Sequence, residues 1–319
     1  MAKPRVIALE EHYWDPEVAA MLGGEAGPPG FAQRYPMEGA ALEARLQNMD
    51  EAGIDVQVIS MGAPAFQRTD AETAVRLARL ANDRLHASIQ PHLDRFGAFA
   101  VLPTPDPAAA ADELERAVTQ LGFKGAMIHG LTNGVFFDDK QFWPIFECAQ
   151  ALDVPLYLHP AAPHPAVVAA YYQDYVEKYP GILTAGWGYT VETATQGLRI
   201  VLSGVLDEYP RVKVILGHLG ESLPFSLWRI DYALSRDPDR AHQFRDLFCE
   251  HFYITTSGHF STPALLCSML EMGADRIMFS VDFPFNPSAL GTKWMDELQV
   301  SAEDKTKILS GNASRLLRI

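Results

Sequence analysis

The chain has 319 residues, 48% of them hydrophobic, and a formal net charge of −14. That is apolar material enough for a large core, while an acidic surface repels phosphate backbones, so no nucleic-acid partner is expected. The three cysteines (Cys148, Cys249, Cys267) are odd in number and form no CxxC pair, Glu10 and Glu11 interrupt the N-terminal apolar run, and no stretch is long enough to span a membrane; a cytoplasmic protein without disulfides is the expectation.

Short β-rich apolar runs alternate with helix-period segments. The first strand, Arg5–His12, leads through a Gly- and Pro-rich stretch, Gly23–Gly39, to a helix over Leu42–Ala52 that Gly53 ends. Val56–Met61 precedes a helix over Ala71–Leu93. Phe96–Leu102 precedes Pro107–Leu121, opened by Asp106-Pro107. Lys124–His129 is followed by Gln141–Leu152. Val154–His159 is followed by the long stretch Ala161–Thr190 and a helix over Glu192–Glu208. Lys213–His218, Tyr253–Ser257 with Thr262–Met272, and Ile277–Asp282 with Ala302–Leu317, capped by Ser301, complete the series. Strand–helix alternation implies parallel βαβ units, and eight strands suggest a closed (β/α)₈ barrel. An open doubly wound sheet is the alternative, but no glycine-rich phosphate loop follows the first strand. With no internal repeat and no linker, residues 1–319 read as a single domain. Gly23–Gly39 and Ala161–Thr190 both leave the C-terminal ends of strands, where barrel enzymes place their sites.

Polar groups gather at those same ends. In Leu9-Glu10-Glu11-His12, side-chain alternation puts Glu10 and His12 on one face and Glu11 on the other. The fifth strand ends at His159, the sixth at His218 with Glu221 three residues on, and the eighth at Asp282. Closing the barrel brings two carboxylates and two or three imidazoles around one opening, a donor set suited to Zn²⁺, Mn²⁺ or Fe²⁺. Singly, each residue reads as a solvated strand end or a turn. Several in register do not. His218 is either a further ligand or an acid/base group oriented by Glu221, and Gly217 and Gly220 allow close backbone approach there; the bland alternative is that Glu221 caps the next helix. Arg229 on that helix either binds a substrate carboxylate or pairs with Asp231.

The set Glu10-Glu11-His12, Leu158-His159-Pro160, Gly217-His218-Leu219-Gly220-Glu221, Trp228-Arg229-Ile230-Asp231 and Ser280-Val281-Asp282-Phe283-Pro284 resembles the amidohydrolase-2 group, in the aminocarboxymuconate-semialdehyde decarboxylase branch with the γ-resorcylate, 2,3-dihydroxybenzoate and 5-carboxyvanillate decarboxylases. The likeness extends through Leu46–Gly53, Arg95–Pro103, Leu121–Gly125 and Asn312-Ala313. It implies a distorted TIM (β/α)₈ barrel with inserted loops over its C-terminal face, and one divalent metal ion, Zn²⁺ or Mn²⁺, held by Glu10, His12, His159 and Asp282. It makes Asp282 a candidate proton donor, matches His218 and Glu221 to the family's active-site pair, and matches Arg229 to a substrate-binding arginine. The first-strand motif departs from the His-x-His of hydrolytic amidohydrolases, and Lys124 begins the fourth strand instead of ending it, which argues against a dinuclear hydrolase. Phe283 stands where a Trp is expected in resorcylate-type relatives; Phe283 and His164 are expected on the substrate side.

The implied reaction is non-oxidative decarboxylation of a small ortho-hydroxy aromatic acid in a homo-oligomer, dimer or tetramer, with no membrane partner. Two alternatives stand beside it: a hydrolase or hydratase of a lactone, amide or unsaturated acid on the same scaffold, and a non-catalytic barrel binding protein.

Overall fold

Branched and aromatic residues populate a set of short strands that all pair in parallel in the computed structural model, which describes residues 4–22, 28–235 and 244–319. The strands are β1 (Ile7–Tyr13), β2 (Val56–Met61), β3 (Phe96–Ala98), β4 (Ala100–Val101), β5 (Ala126–His129), β6 (Leu156–His159), β7 (Val214–Leu216), β8 (Phe252–Thr255) and β9 (Ile277–Met278). They run β1-β2-β3 and β4-β5-β6-β7-β8-β9. The expected third strand is split at Phe99, whose N–H bonds the Ile59 carbonyl (2.9 Å), so β3 and β4 are two halves of one barrel strand. The ring closes where Glu11 bridges Phe283 and the His12 N–H reaches the Phe283 carbonyl at 2.7 Å. The result is the eight-stranded parallel barrel expected from the sequence.

Inside the barrel, Ile7, Leu9, Val56, Val58, Phe99, Met127, Tyr157, Ile215, Tyr253 and Met278 form one apolar cluster. The C-terminal helix Asn312–Leu317 packs Ala313 and Leu317 onto it, while Asn312 Nδ2 bonds the carbonyls of Ala274 (2.8 Å) and Ile277 (2.7 Å). Layered interior side chains make a solid barrel floor, which leaves only the opposite, C-terminal rim for a site. A second, larger cluster lies between the strands and the surrounding helices.

Helix ends follow the sequence signals. Gly53 takes a left-handed conformation (φ 71°) after Gly39–Ala52, the Asp106 carboxylate accepts from Ala109 N at the start of Pro107–Leu121, and Ser301 Oγ accepts from Asp304 N. Thr262–Met272 forms as expected. Four expected helices are subdivided: Gln141–Leu152 opens as a 3-10 turn at Lys140–Phe142 before Trp143–Leu152, and the other three break for a visible reason. Ala71–Ile89 hands over to a 3-10 turn at Gln90–His92, which contains Pro91. The expected Glu192–Glu208 begins earlier and breaks at Ser203-Gly204, giving Gly188–Leu202 and Val205–Glu208, with Gly204 at φ 84°. The terminal helix contains a π turn at Lys307–Gly311, where the Ile308 carbonyl turns outward to accept from Phe279 N (2.8 Å). The stretch Ala161–Thr190 is largely helical and not an open loop, with short turns at Pro165–Val167, Val168–Tyr172, Gln173–Val176 and Pro180–Leu183. Of Gly23–Gly39, residues 23–27 lie outside the described residues. No helix among the described residues is long and apolar enough to cross a membrane.

Candidate metal centre

Strict alternation from Ile7 and Leu9, which face the barrel interior, would turn Glu10 and His12 outward. The register shows why it does not. Ala8 pairs with Gln57 but Glu11 pairs with Ile59, so β1 carries one residue more than β2 between those points. This β-bulge flips the parity and turns Glu10 and His12 toward the barrel axis. His12 then lies directly opposite Ser60, whose Oγ meets His12 Nδ1 at 3.0 Å. That contact leaves Nε2 as the outward-facing nitrogen.

Glu10, His12, His159 and Asp282 come together with one ligand atom from each lying within 4.8 Å of all the others. His12 Nε2 is 3.4 Å from Asp282 Oδ1, and His159 Nε2 is 3.3 Å from Glu10 Oε1. Glu10 and His12 are fully buried; the Asp282 side chain retains 13% exposure. Glu10 Oε1 and His12 Nε2 have no hydrogen-bond partner. Two carboxylates and two imidazoles with orphaned buried atoms aimed at one point fit a divalent cation better than any neutral ligand.

Each ligand atom is held from behind. The Tyr157 hydroxyl donates to Glu10 Oε2 and also meets Thr255 Oγ1 at 2.7 Å. His159 Nδ1 donates to the Pro160 carbonyl at 2.7 Å, which commits Nε2 to the centre. Asn286 Nδ2 donates to Asp282 Oδ2 at 3.3 Å. Gly217 permits the approach of Glu10: a Cβ there would stand 2.6 Å from Glu10 Oε2. Burial raises the pKa of Glu10 and, helped by the neighbouring His12 and His129, lowers that of His159 well below its usual value. A neutral imidazole is the form that ligates a metal.

His218 stands beside this group. Its Nε2 is 3.8 Å from Asp282 Oδ2 and 4.0 Å from Glu10 Oε1, and its Nδ1 is 2.7 Å from Glu221 Oε1. Burial disfavours charge on this ring, but Glu221, Glu10 and Asp282 outweigh it and push its pKa well above the usual range. Asp282 is the converse: burial raises it, yet hydrogen bonds and charge from His12 and His218 hold it below the usual carboxylate range. The His218–Ser222 turn has positive φ at every residue, namely 49°, 55°, 77°, 52° and 65°. Left-handed backbone at non-glycine residues is costly and concentrates at functional sites. Glu221 is 1% exposed and turned to His218; the next helix, Leu223–Leu234, is preceded by Ser222, so Glu221 is not its cap.

The remaining expected residues lie elsewhere. Phe283 packs outward under the Arg45 guanidinium (4.8 Å) and against Tyr35 (5.8 Å). The aromatic rings near His12 are Phe285 (6.1 Å) and Trp14 (6.2 Å), with Phe31 packed against both. Alternation signals that Phe283 turns away from Asp282 and that Trp14, two residues past His12, shares its side; Phe285, in the turn after Asp282, carries no such signal. His164 caps the turn at Pro165–Val167, its Nδ1 accepting from Ala166 N at 3.1 Å. Arg229 is exposed on Leu223–Leu234, and no ion pair among the described residues ties it to the four-residue group. Its alternative partner, Asp231, instead accepts from Arg245 N at 3.1 Å.

A parallel barrel with a mixed carboxylate–imidazole group on its rim defines a metal-site (β/α)₈ protein. The chain belongs to the amidohydrolase family, whose profile matches residues 12–319. It is 39% identical to the γ-resorcylate decarboxylase of Polaromonas sp. strain JS666, over 98% of both chains. A crystal structure of dihydroxybenzoic acid decarboxylase from that organism, with bound manganese and the inhibitor 2-nitroresorcinol, superposes with a TM-score of 0.88 at 39% identity, covering 99% of this chain and 97% of the other. The 5-carboxyvanillate decarboxylase of Sphingomonas paucimobilis gives a TM-score of 0.90 at 34% identity, covering 99% and 100%.

Proposed function

We propose that this protein is a metal-dependent, non-oxidative decarboxylase of a hydroxylated aromatic acid of the dihydroxybenzoate type. The observation that carries the reading is the convergence of Glu10, His12, His159 and Asp282 beside the His218–Glu221 pair. Full-length similarity to γ-resorcylate decarboxylase supports it. Glu10, His12, His159 and Asp282 hold the cation, which when bound anchors the substrate oxygens and withdraws charge from them.

This chain's residues supply the proton. His12 and His218 keep Asp282 a carboxylate at rest, so the proton that Asp282 delivers comes from His218, 3.8 Å away. Glu221 orients His218 through Nδ1 and stabilises its charge. Asp282 protonates the ring carbon that bears the carboxylate. The bond from that carbon to the carboxylate then breaks, its electron pair returns to the ring, aromaticity is restored and CO₂ leaves. Arg229, exposed and with no ion-pair partner among the described residues, is free to bind a substrate carboxylate, as the family likeness implies.

Exposed apolar side chains on the two mutually packed helices Leu223–Leu234 and Thr262–Met272, Phe225 and Leu270 at 84% among them with Trp228, support a dimer or tetramer. The three free cysteines fit a reducing, cytoplasmic setting. The deciding experiment incubates metal-loaded protein with a panel of hydroxybenzoates and measures CO₂ release. Incorporation of solvent oxygen into a lactone or amide product, with no CO₂ from any acid, would establish a hydrolase instead.

A further inference from the structure

His129 is a buried imidazole on the rim that the mechanism above does not use. It ends β5 and pairs in register with His159 on β6. It is 1% exposed, its ring lies edge-on to His159 with centroids 4.8 Å apart, and neither ring nitrogen makes a well-formed hydrogen bond, the Met61 backbone offering only a weak one. Gln67, on the segment after β2, is also fully buried with both amide atoms unpartnered. Its carbonyl accepts from Asn133 N at 2.9 Å, which ties that segment to the one leaving β5. Buried polar atoms are rarely left unpaired, and where they are, an absent partner is the usual reason.

The strand order fixes where these groups stand. β6, carrying His159, lies between β5 and β7. His218 follows β7, so His218 and His129 flank His159 from opposite sides. An aromatic acid held at the centre with its carboxyl-bearing carbon toward Asp282 and His218 turns another ring position toward His129. No ion pair joins His129 to a carboxylate among the described residues. An imidazole and a primary amide, each offering both donor and acceptor, match a hydroxyl better than a carboxylate, which only accepts.

We infer that His129, together with Gln67 on the segment bonded to the one leaving β5, hydrogen-bonds a second ring hydroxyl of the substrate and thereby selects dihydroxybenzoates over monohydroxybenzoates. The first hydroxyl is taken up at the metal centre; the second is the one left for His129. The inference rests on the decarboxylase reading.

Titration calorimetry on the metal-loaded protein tests it without turnover, using 2-nitroresorcinol and 2-nitrophenol, which differ by one hydroxyl. The wild type binds 2-nitroresorcinol on the order of tenfold more tightly, as one net hydrogen bond predicts. His129→Phe keeps the ring packing on His159, so metal content and 2-nitrophenol affinity stay level while the preference is lost. His129→Asn, which restores a donor and an acceptor, recovers part of it. Absence of preference in the wild type, equal weakening of both ligands in His129→Phe, or loss of metal from that variant overturns the inference. Should His129→Phe fail to fold, Gln67→Leu is read against the same two outcomes. No CO₂ release from any hydroxybenzoate would overturn the decarboxylase reading instead, and the binding ratio would still decide the role of His129.

Discussion

The carboxylate of Glu11 grips the backbone on both sides of Asp282: Oε1 accepts from Val281 N at 2.9 Å and Oε2 from Phe283 N at 3.2 Å. Ser280 Oγ adds a third donor at 3.2 Å and Gln57 Nε2 a fourth at 3.4 Å. One side chain of β1 thus closes the barrel and fixes the residue that, in the proposed mechanism, both ligates the metal and delivers a proton. Burial pushes the Glu11 pKa up to about 8, against the pull of the Val281 N–H and of Arg45. Asp282 itself sits at φ 68°, a conformation that such external clamping sustains.

Glu11→Gln replaces one accepting oxygen by an NH₂ group that faces existing donors. Stability should fall by about 1–3 kcal/mol, the cost of leaving a buried group unpaired. Metal content should fall as well, because Asp282 loses its frame. Urea denaturation and metal analysis read the two effects; unchanged values in both would return Glu11 to a passive core role.

Metal content tests the ligand set directly. His159→Ala should lose most of about one divalent ion per chain, since three donors replace four. Tyr157→Phe keeps the ring in the barrel core but removes the hydroxyl that donates to Glu10. Its affinity for the metal should drop by roughly 10–100-fold, the usual effect of losing an outer-shell partner. Competition with a chelator measures both. Wild-type affinity in either variant would contradict the arrangement.

The sequence made the barrel legible because its interior and its rim obey different rules. Strands such as Val56–Met61 and helices such as Pro107–Leu121 are bounded by local signals that packing did not override. The candidate ligands were legible as polar residues ending apolar runs. Two things were not. The bulge between Ala8 and Glu11 is a pairing event with β2 and leaves no mark within β1 alone, so the reason Glu10 faces inward appears only with the register. The second is the aromatic surround. Local pattern picked out Phe283, adjacent to Asp282, whereas alternation sends that ring to Arg45 and the turn after it, in which the Phe285 N–H bonds the Asp282 carbonyl, brings Phe285 near His12.

Away from the metal, His251 gives a pH prediction. It is buried, and Nδ1 bonds the Val212 carbonyl at 2.8 Å. Burial lowers its pKa below 6.5, more than the Val212 bond restores. The unfolded chain therefore takes up a proton near pH 6.5 while the folded one does not. His251 thus contributes stability above pH 6.5 that is lost as pH falls from there toward the folded pKa. His251→Gln keeps a donor for Val212 and cannot titrate. The gap in urea midpoint between about pH 7.5 and about pH 5.5 should be narrower than in the wild type. An equal gap would exclude His251 from the acid sensitivity.

Arg229→Met separates binding from chemistry. If the guanidinium holds a substrate carboxylate, kcat/KM should fall by about tenfold or more, the worth of a charge-assisted hydrogen bond, with metal content unchanged. The variant carries little stability risk, because Arg229 is exposed and unpaired among the described residues. Wild-type kinetics would remove it from the reaction.

His218 and Glu221 form the sharpest test, because their proposed roles are unequal and joined. His218→Asn should leave metal bound, since Glu10, His12, His159 and Asp282 complete the group without it. It should still lower kcat by a factor on the order of 10²–10⁴, the range for a lost acid–base group. Glu221→Gln should act in the same direction but more weakly, since an amide oxygen can still accept from Nδ1 while the charge that favours the imidazolium is gone. That variant should also move the alkaline limb of the rate profile to lower pH, because the folded pKa of His218 is raised in part by Glu221. The double variant should cost little more than His218→Asn alone, as expected when one residue acts only through the other. Additive losses would mean that Glu221 contacts the reaction by another route, its second oxygen, buried and unpartnered, being the obvious one. Loss of metal from His218→Asn would instead make His218 a fifth ligand, and Asp282 would then have to find its proton elsewhere.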